Sequence, residues 1–252
     1  MGGKDMSTQE MIERWSETIS IATLSSKRLE LELKTLIEKI KSDPRDLAID
    51  LSRVQSIAGS SLRKLQELKE NDMPPDNLTF AGNGEPTIHP AFDLIVKDTI
   101  ALWDKYFPNA STTVLSNSSM IFKKDIFEAL KMVDKNIMKL DTGSQEQFEK
   151  INLPHIQLKL KNIVEDLCKF KGDVIIQTLF LRGTYNDQRI DNTSGKEIQL
   201  WLQHLEKIKP KLVMMYPIDR KTPARNLEKI TTEELHRIAD RVNQIGIKTE
   251  IF

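Results

Sequence analysis

The segment Ala81-Gly82-Asn83-Gly84-Glu85-Pro86-Thr87 combines residue types that can grip a small polar ligand. Two glycines flanking Asn83 let the backbone pass close to a bound molecule and present its N–H and C=O groups, because neither carries a Cβ. Glu85 adds a carboxylate and Pro86 stiffens the exit. By spacing alone the same residues also make an ordinary glycine turn leading into a helix at 91, and the two readings stand level.

Other polar groups follow apolar runs. They are Ser116-Asn117-Ser118, Lys139 with Asp141-Thr142, Gln177 with Arg182-Gly183, and Tyr216 with Asp219 and Arg220. A purely structural set of loops would be polar too. Lys139 and Gln177 differ, because each stands inside an apolar run, where a polar group must be paired or must face a solvated cavity.

The elements that carry these residues are legible as periodicity. Short runs rich in β-branched residues at 77–82, 112–117, 136–141, 173–181, 211–218 and 247–252 predict strands. Amphipathic stretches near 91–105, 123–133, 158–170, 195–208 and 231–244 predict helices. Pro90 and Thr231-Thr232 mark helix starts, and Gly246 marks a stop. Alternation of strand and helix at intervals of about 35 residues predicts parallel βα units and an α/β fold. Upstream of Pro74-Pro75 the pattern is helical throughout, with Met11, Ile12, Trp15 and Ile19 and then Leu29, Leu33, Leu36, Ile37 and Ile40 at helical spacing. The expected division is a helical segment over 1–73 and a βα region over 74–252. Ligands of parallel sheets bind at the C-terminal ends of the strands, and the polar residues named above fall there.

Composition narrows the function classes. The 252 residues carry 37 basic and 37 acidic side chains, with 39% hydrophobic residues, which excludes a disordered chain and a surface given over wholly to nucleic acid. The basic stretch Arg220, Lys221, Arg225, Lys229 reads more simply as a solvated loop than as a phosphate or RNA contact. No apolar run reaches the roughly 18 to 20 residues that span a bilayer, and the N-terminus has no apolar signal core, so a cytoplasmic protein is expected. His89, His155, His204 and His236 are scattered and suit surface or capping roles better than a metal. There is no GxxxxGK[ST] loop and no GxSxG elbow. Cys168 is the single cysteine, in an apolar helical context that suits a core thiol.

The stretch LTFAGNGEPTIHPAF resembles the second strand of radical S-adenosylmethionine (SAM) proteins, whose Gly-Gly-Glu-Pro motif binds the amino group of SAM. VLSNSSM, KLDTG, IIQTLFLRGTYN and MMYPIDRKTP follow in family order, similar to a bacterial Fe–S oxidoreductase-like subgroup of unassigned substrate, over roughly residues 60–252. The resemblance implies a partial TIM-type (β/α) barrel, SAM as the small-molecule cofactor and radical chemistry on an unknown substrate. It implies that Gly82, Asn83, Gly84, Glu85, Pro86 and Thr87 form the amino-group loop. Ser116, Asn117, Lys139 and Asp141 would lie near the ribose and carboxylate, Gln177 at the neighbouring edge, and Tyr216, Asp219 and Arg220 toward substrate.

One departure is chemical. The family holds a 4Fe-4S cluster with a CxxxCxxC loop ahead of the GNGEPT motif, whereas this sequence has no cysteine before Cys168 and helical residues 1–55 in that place. Without those thiolates the cluster has no ligands, no metal site is expected, and the catalytic residues stay unassigned. Two expectations follow: an enzyme of radical SAM descent unable to hold its cluster in this chain, or a barrel remnant serving as a binding or scaffold protein. The N-terminal helices would then cover an open strand edge, or recruit a partner or a second copy.

Overall fold

The computed structural model describes residues 75–81, 84–154, 156–218, 224 and 226–252. The helical segment expected over 1–73, and Gly82, Asn83, Asp219 and Arg220, lie outside the described residues. The chain divides into two compact units, the first reaching Val114 and including Glu128–Asp134, the second formed by Leu115–Phe127 and Lys135–Phe252.

In the first unit β1 (Asn77–Phe80) pairs in parallel with β2 (Ser111–Ser116), with Leu78 opposite Thr112 and Phe80 opposite Val114. Between them a short 3-10 turn (Pro86–Ile88) leads to α1 (Phe92–Tyr106). Leu78, Phe80, Phe92, Val96, Trp103 and Val114 are buried, and the Phe80 and Phe92 rings meet edge to face with centroids 6.5 Å apart. Asp134 fastens the start of β2, its Oδ2 accepting from Thr112 N at 2.7 Å and Thr112 Oγ1 at 2.8 Å. The helix α2 (Lys124–Leu130) bridges the stretch where the chain passes from one unit to the other.

The second unit continues with β3 (Lys135–Lys139), α3 (Gln145–Asn152), α4 (Leu160–Cys168), β4 (Ile175–Tyr185), β5 (Gln188–Asp191), α5 (Gly195–Ile208), β6 (Leu212–Pro217), β7 (Asn226–Lys229), α6 (Thr232–Gln244) and β8 (Thr249–Ile251). Its parallel strands run in the order β3-β4-β6-β8. One face packs on helices. Met138, Ile176, Thr178, Phe180, Val213 and Met215 are all 1% exposed or less, facing apolar stripes such as Ile198, Trp201, Leu205 and Ile208 of α5. Trp201 and Phe180 meet edge to face with centroids 5.3 Å apart. Burying each of the apolar side chains in this layer contributes about 1.5–3 kcal/mol.

The opposite face reads differently. Register aligns Lys139, Gln177, Met214 and Glu250 in one row across the four strands, and none of the four is buried. Alternation along a strand explains the contrast, since successive side chains point to opposite faces. The fold class is therefore the expected one: an α/β arrangement of parallel strands in an open, partial barrel.

Four elements, α3, β4, β5 and β7, depart from the periodicity reading. α3 was not expected. β4 runs on past the parallel layer, and its far half pairs antiparallel with both β5 and β7. The β4–β5 hairpin turns on Asn186 and Asp187, both at positive φ (49° and 57°), which is a type I′ loop matching the strand twist. Gly183, at φ 142°, allows β7 to approach: a Cβ there would sit 2.1 Å from the Asn226 carbonyl oxygen.

Candidate functional site

Lys139 closes β3, and its ammonium reaches Asp141 at 3.1 Å. The Asp141 side chain has no exposure to solvent, whereas that of Lys139 is one third exposed on the open face. A buried carboxylate must be paired and hydrogen-bonded, and this one is. Oδ1 accepts from Leu179 N at 2.9 Å, and Oδ2 accepts from Asn152 Nδ2 at 2.9 Å as well as from Lys139. Asp141, expected to meet ligand, is thus fully engaged within the protein. Lys139 is the group it presents.

The loop carrying Asp141 is held from outside by α5. Glu197, Trp201 and His204 stand at spacings of four and three, on one helix face. Glu197 Oε2 accepts from Gly143 N at 3.1 Å and Ser144 N at 3.0 Å. Trp201 Nε1 donates to the Leu140 carbonyl at 3.0 Å, and His204 Nε2 bonds the Gly143 carbonyl at 2.8 Å. That bond makes Nε2 the protonated nitrogen and leaves Nδ1 buried without a partner. Burial, aided by the nearby Lys207 charge, lowers the His204 pKa, so the ring is neutral. Gly143 permits the contact, since a Cβ there would lie 2.4 Å from the Glu197 carbonyl oxygen.

Asn192 spans the point where β4 leaves β3. It is 2% exposed; its Nδ2 donates to the carbonyls of Asp141 at 2.8 Å and Leu179 at 2.7 Å, and its Oδ1 accepts from Leu181 N at 2.8 Å. From the β2 side, Ser118 sits at φ 67° and is buried, with its Oγ donating to the Lys139 carbonyl at 2.9 Å. Its own N–H donates to Ser116 Oγ at 3.1 Å, while Asn117 Oδ1 accepts from Ser119 N at 2.9 Å. The left-handed conformation of Ser118 is held by these bonds to Ser116 and Lys139.

Gln177 stands beside Lys139 in register, and Tyr216 stands beside Leu179 in the next row. Burial, with the Asp141 charge, raises the Tyr216 pKa, so its phenol stays protonated and can donate. The structure thus brings Ser116, Asn117, Lys139, Asp141, Gln177 and Tyr216 to one end of the second unit. In the first unit Glu85 caps the 3-10 turn, its Oε1 accepting from Thr87 N at 3.1 Å and from the Thr87 hydroxyl. Gly84 has open space where a side chain would be.

The donor set does not fit an iron–sulfur cluster. Cys168 ends α4, which leads to the start of β4, whereas the rim lies at the strand ends. It is half-buried rather than a core thiol, and burial raises its pKa away from the thiolate a cluster needs. Among the described residues no three His, Cys, Asp or Glu side chains come together to hold a metal. His89 Nδ1 accepts from Ala91 N just ahead of α1, His236 Nδ1 bonds the Thr232 carbonyl one turn back within α6, and His155 lies outside the described residues. Among the described residues no helix is long and apolar enough to cross a membrane.

Sequence reasoning missed Asn152, Asn192, Glu197 and the loop-holding role of His204. Glu197 left one signal, a carboxylate beside Ile198 and four residues from Trp201 on the apolar side of a helix.

Two solved structures share this architecture. A domain of pyruvate-formate lyase-activating enzyme from Bacteroides vulgatus superposes with a TM-score of 0.51 at 16% identity, covering 71% of this chain and 99% of that one. A radical SAM methyltransferase from Sphaerobacter thermophilus gives 0.53 at 13% identity, covering 78% and 55%. The chain therefore has a radical SAM-type fold.

No family model matches the sequence. It is 25% identical over 180 residues to a GTPase Obg of Brachyspira hyodysenteriae, covering 69% of this chain and 25% of that protein. It is 24% identical over 184 residues to a UPF0026 protein of Helicobacter pylori (71% and 55%), and 31% identical over 132 residues to one of Methanocaldococcus jannaschii (50% and 39%). The chain spans from a quarter to about half the length of these relatives.

Proposed function

We propose that this chain is a SAM-binding barrel of radical SAM descent that does not assemble a 4Fe-4S cluster from its own residues. One observation carries the reading: a lysine on the open face of a radical SAM-type sheet is aimed by an enclosed, fully bonded aspartate. Lys139 would take the SAM carboxylate, with Gln177, Ser116 and Asn117 around it and Asp141 acting through Lys139. On the resemblance, Gly82, Asn83, Gly84, Glu85, Pro86 and Thr87 are assigned to the amino-group loop, and Tyr216, Asp219 and Arg220 to the substrate side. The division into a helical segment over 1–73 and a barrel over 74–252 belongs to the same proposal, as does a cytoplasmic location. In radical SAM proteins a bound cluster would supply the electron for cleaving SAM, and this chain, with one thiol in 252 residues, offers no ligand set for it.

Calorimetric titration with SAM under anaerobic conditions, beside incubation with iron and sulfide, tests both halves. Micromolar-range heat that is lost in Lys139→Met, with no iron–sulfide absorption acquired, is the expected result. A folded chain that gives no heat with SAM would favour the second reading, a barrel reused as a binding or scaffold protein. The half-buried, protonated Cys168 as the sole thiol is the observation on which that reading rests.

A further inference from the structure

Beyond Lys139 and Gln177, the same row ends in Met214 and Glu250. Thr249 faces the helices, its hydroxyl donating to Asn243 Oδ1 at 3.2 Å, so Glu250 projects to the open side with Met214. Phe252 continues the alternation, its N–H donating to the Met215 carbonyl at 3.0 Å, which sets it beside Tyr216 on that side. Met214 and Tyr216 are half-buried, Glu250 is exposed, and Phe252 is 62% exposed. Glu250 makes no ion pair or hydrogen bond through its side chain among the described residues.

We propose that this corner of the open face binds a small organic cation, an ammonium or guanidinium on an apolar stem, as the substrate-recognition end of the site. The inference rests on the reading above that the open face receives small molecules. Its chemistry is that of a cation subsite: one carboxylate, two aromatic rings and a polarisable thioether. Among the described residues, the other charges on the face stand off this level. Lys139 is neutralised by Asp141 and stands three strands away, about 14 Å at normal spacing. Lys248 lies just before β8, about 7 Å back along the chain from Glu250 and one row below. An anion would meet an unpaired carboxylate here, whereas a cation gains a charge partner and a ring face.

The test uses full-length chain with 13C-methyl-labelled methionine, reading the Met214 methyl signal assigned by its loss in Met214→Leu. The probes are n-butylguanidinium and n-butanol, which share a stem and differ in charge. A saturating Met214 shift with n-butylguanidinium is expected, at least fivefold weaker with n-butanol and at least fivefold weaker in Glu250→Gln. No shift in the wild type, or equal affinity in Glu250→Gln, overturns the proposal. Circular dichroism confirms the fold of that variant, and SAM titration of the same samples separates the two readings. Cation binding without SAM binding removes the proposed function and leaves this subsite, and the reverse outcome removes the subsite alone.

Discussion

Lys139 and Asp141, two residues apart and 3.1 Å from each other through their charged ends, occupy opposite environments, one partly in solvent and one enclosed. A symmetrical surface pair would contribute little. Here the enclosed partner is fixed by a strand amide and an asparagine, so the lysine is oriented before any ligand arrives.

Asp141→Ala should destabilise the chain by at least about 2 kcal/mol, because it strips the partners from the Leu179 amide and Asn152 Nδ2, and each unsatisfied buried donor costs about 1–3 kcal/mol. Urea unfolding at constant slope reads the loss. Lys139→Met leaves the enclosed carboxylate without its counter-charge, which also destabilises, and should weaken SAM binding at least tenfold. Unchanged SAM affinity in that variant would show that the pair serves only the fold.

Gly143→Ala should lose about 1–3 kcal/mol, the cost of forcing a side chain into a filled space. The atoms a Cβ would meet are backbone, the Glu197 carbonyl at 2.4 Å and Trp201 N at 2.6 Å, and backbone cannot rotate away. A thermal midpoint unchanged from wild type would mean that the loop does not rest against α5 in solution.

His204 predicts a pH dependence. Its folded pKa lies below the unfolded value of about 6.5, so between the two the unfolded chain binds the extra proton. Stability is therefore complete above about pH 7 and falls as pH drops through the unfolded value. His204→Gln keeps a donor for the Gly143 carbonyl and should remove this part of the slope. Chemical denaturation of both proteins at several pH values decides it.

Glu85→Ala should weaken SAM binding by at least about 1 kcal/mol, the scale of a charge-assisted hydrogen bond. Calorimetry reads the change directly. Unchanged affinity would leave Glu85 as the cap of the Thr87 turn and nothing more.

Much of the layer order was legible because strand and helix have different periods. α5 falls at 195–208 as expected, and Thr231 caps α6 with a reciprocal Glu234 contact. α3, β5 and β7 were not legible, because QEQFEKIN, QRID and NLEK are short and mostly polar. The rim positions of Lys139, Gln177 and Tyr216 were legible as polar residues in or beside apolar runs. Their supports were not. Glu197 meets Gly143 across 54 residues of chain, and Asn192 meets Asp141 across 51, separations that no local period encodes.

β4 has a mechanical consequence. Its 11 residues form one unbroken strand that serves the parallel layer at one end and the antiparallel ribbon at the other. The ribbon therefore has no hinge of its own, because swinging it away would require releasing the Leu181 amide from Asn192 and the pairing of Arg182 with both neighbours. Solvent exchange at the Leu181 and Gly183 amides should then track opening of the strand as a whole instead of the fast rhythm of a surface loop. The ribbon would behave as a stiff lever on the barrel wall, so that a push on it is felt at Gln177.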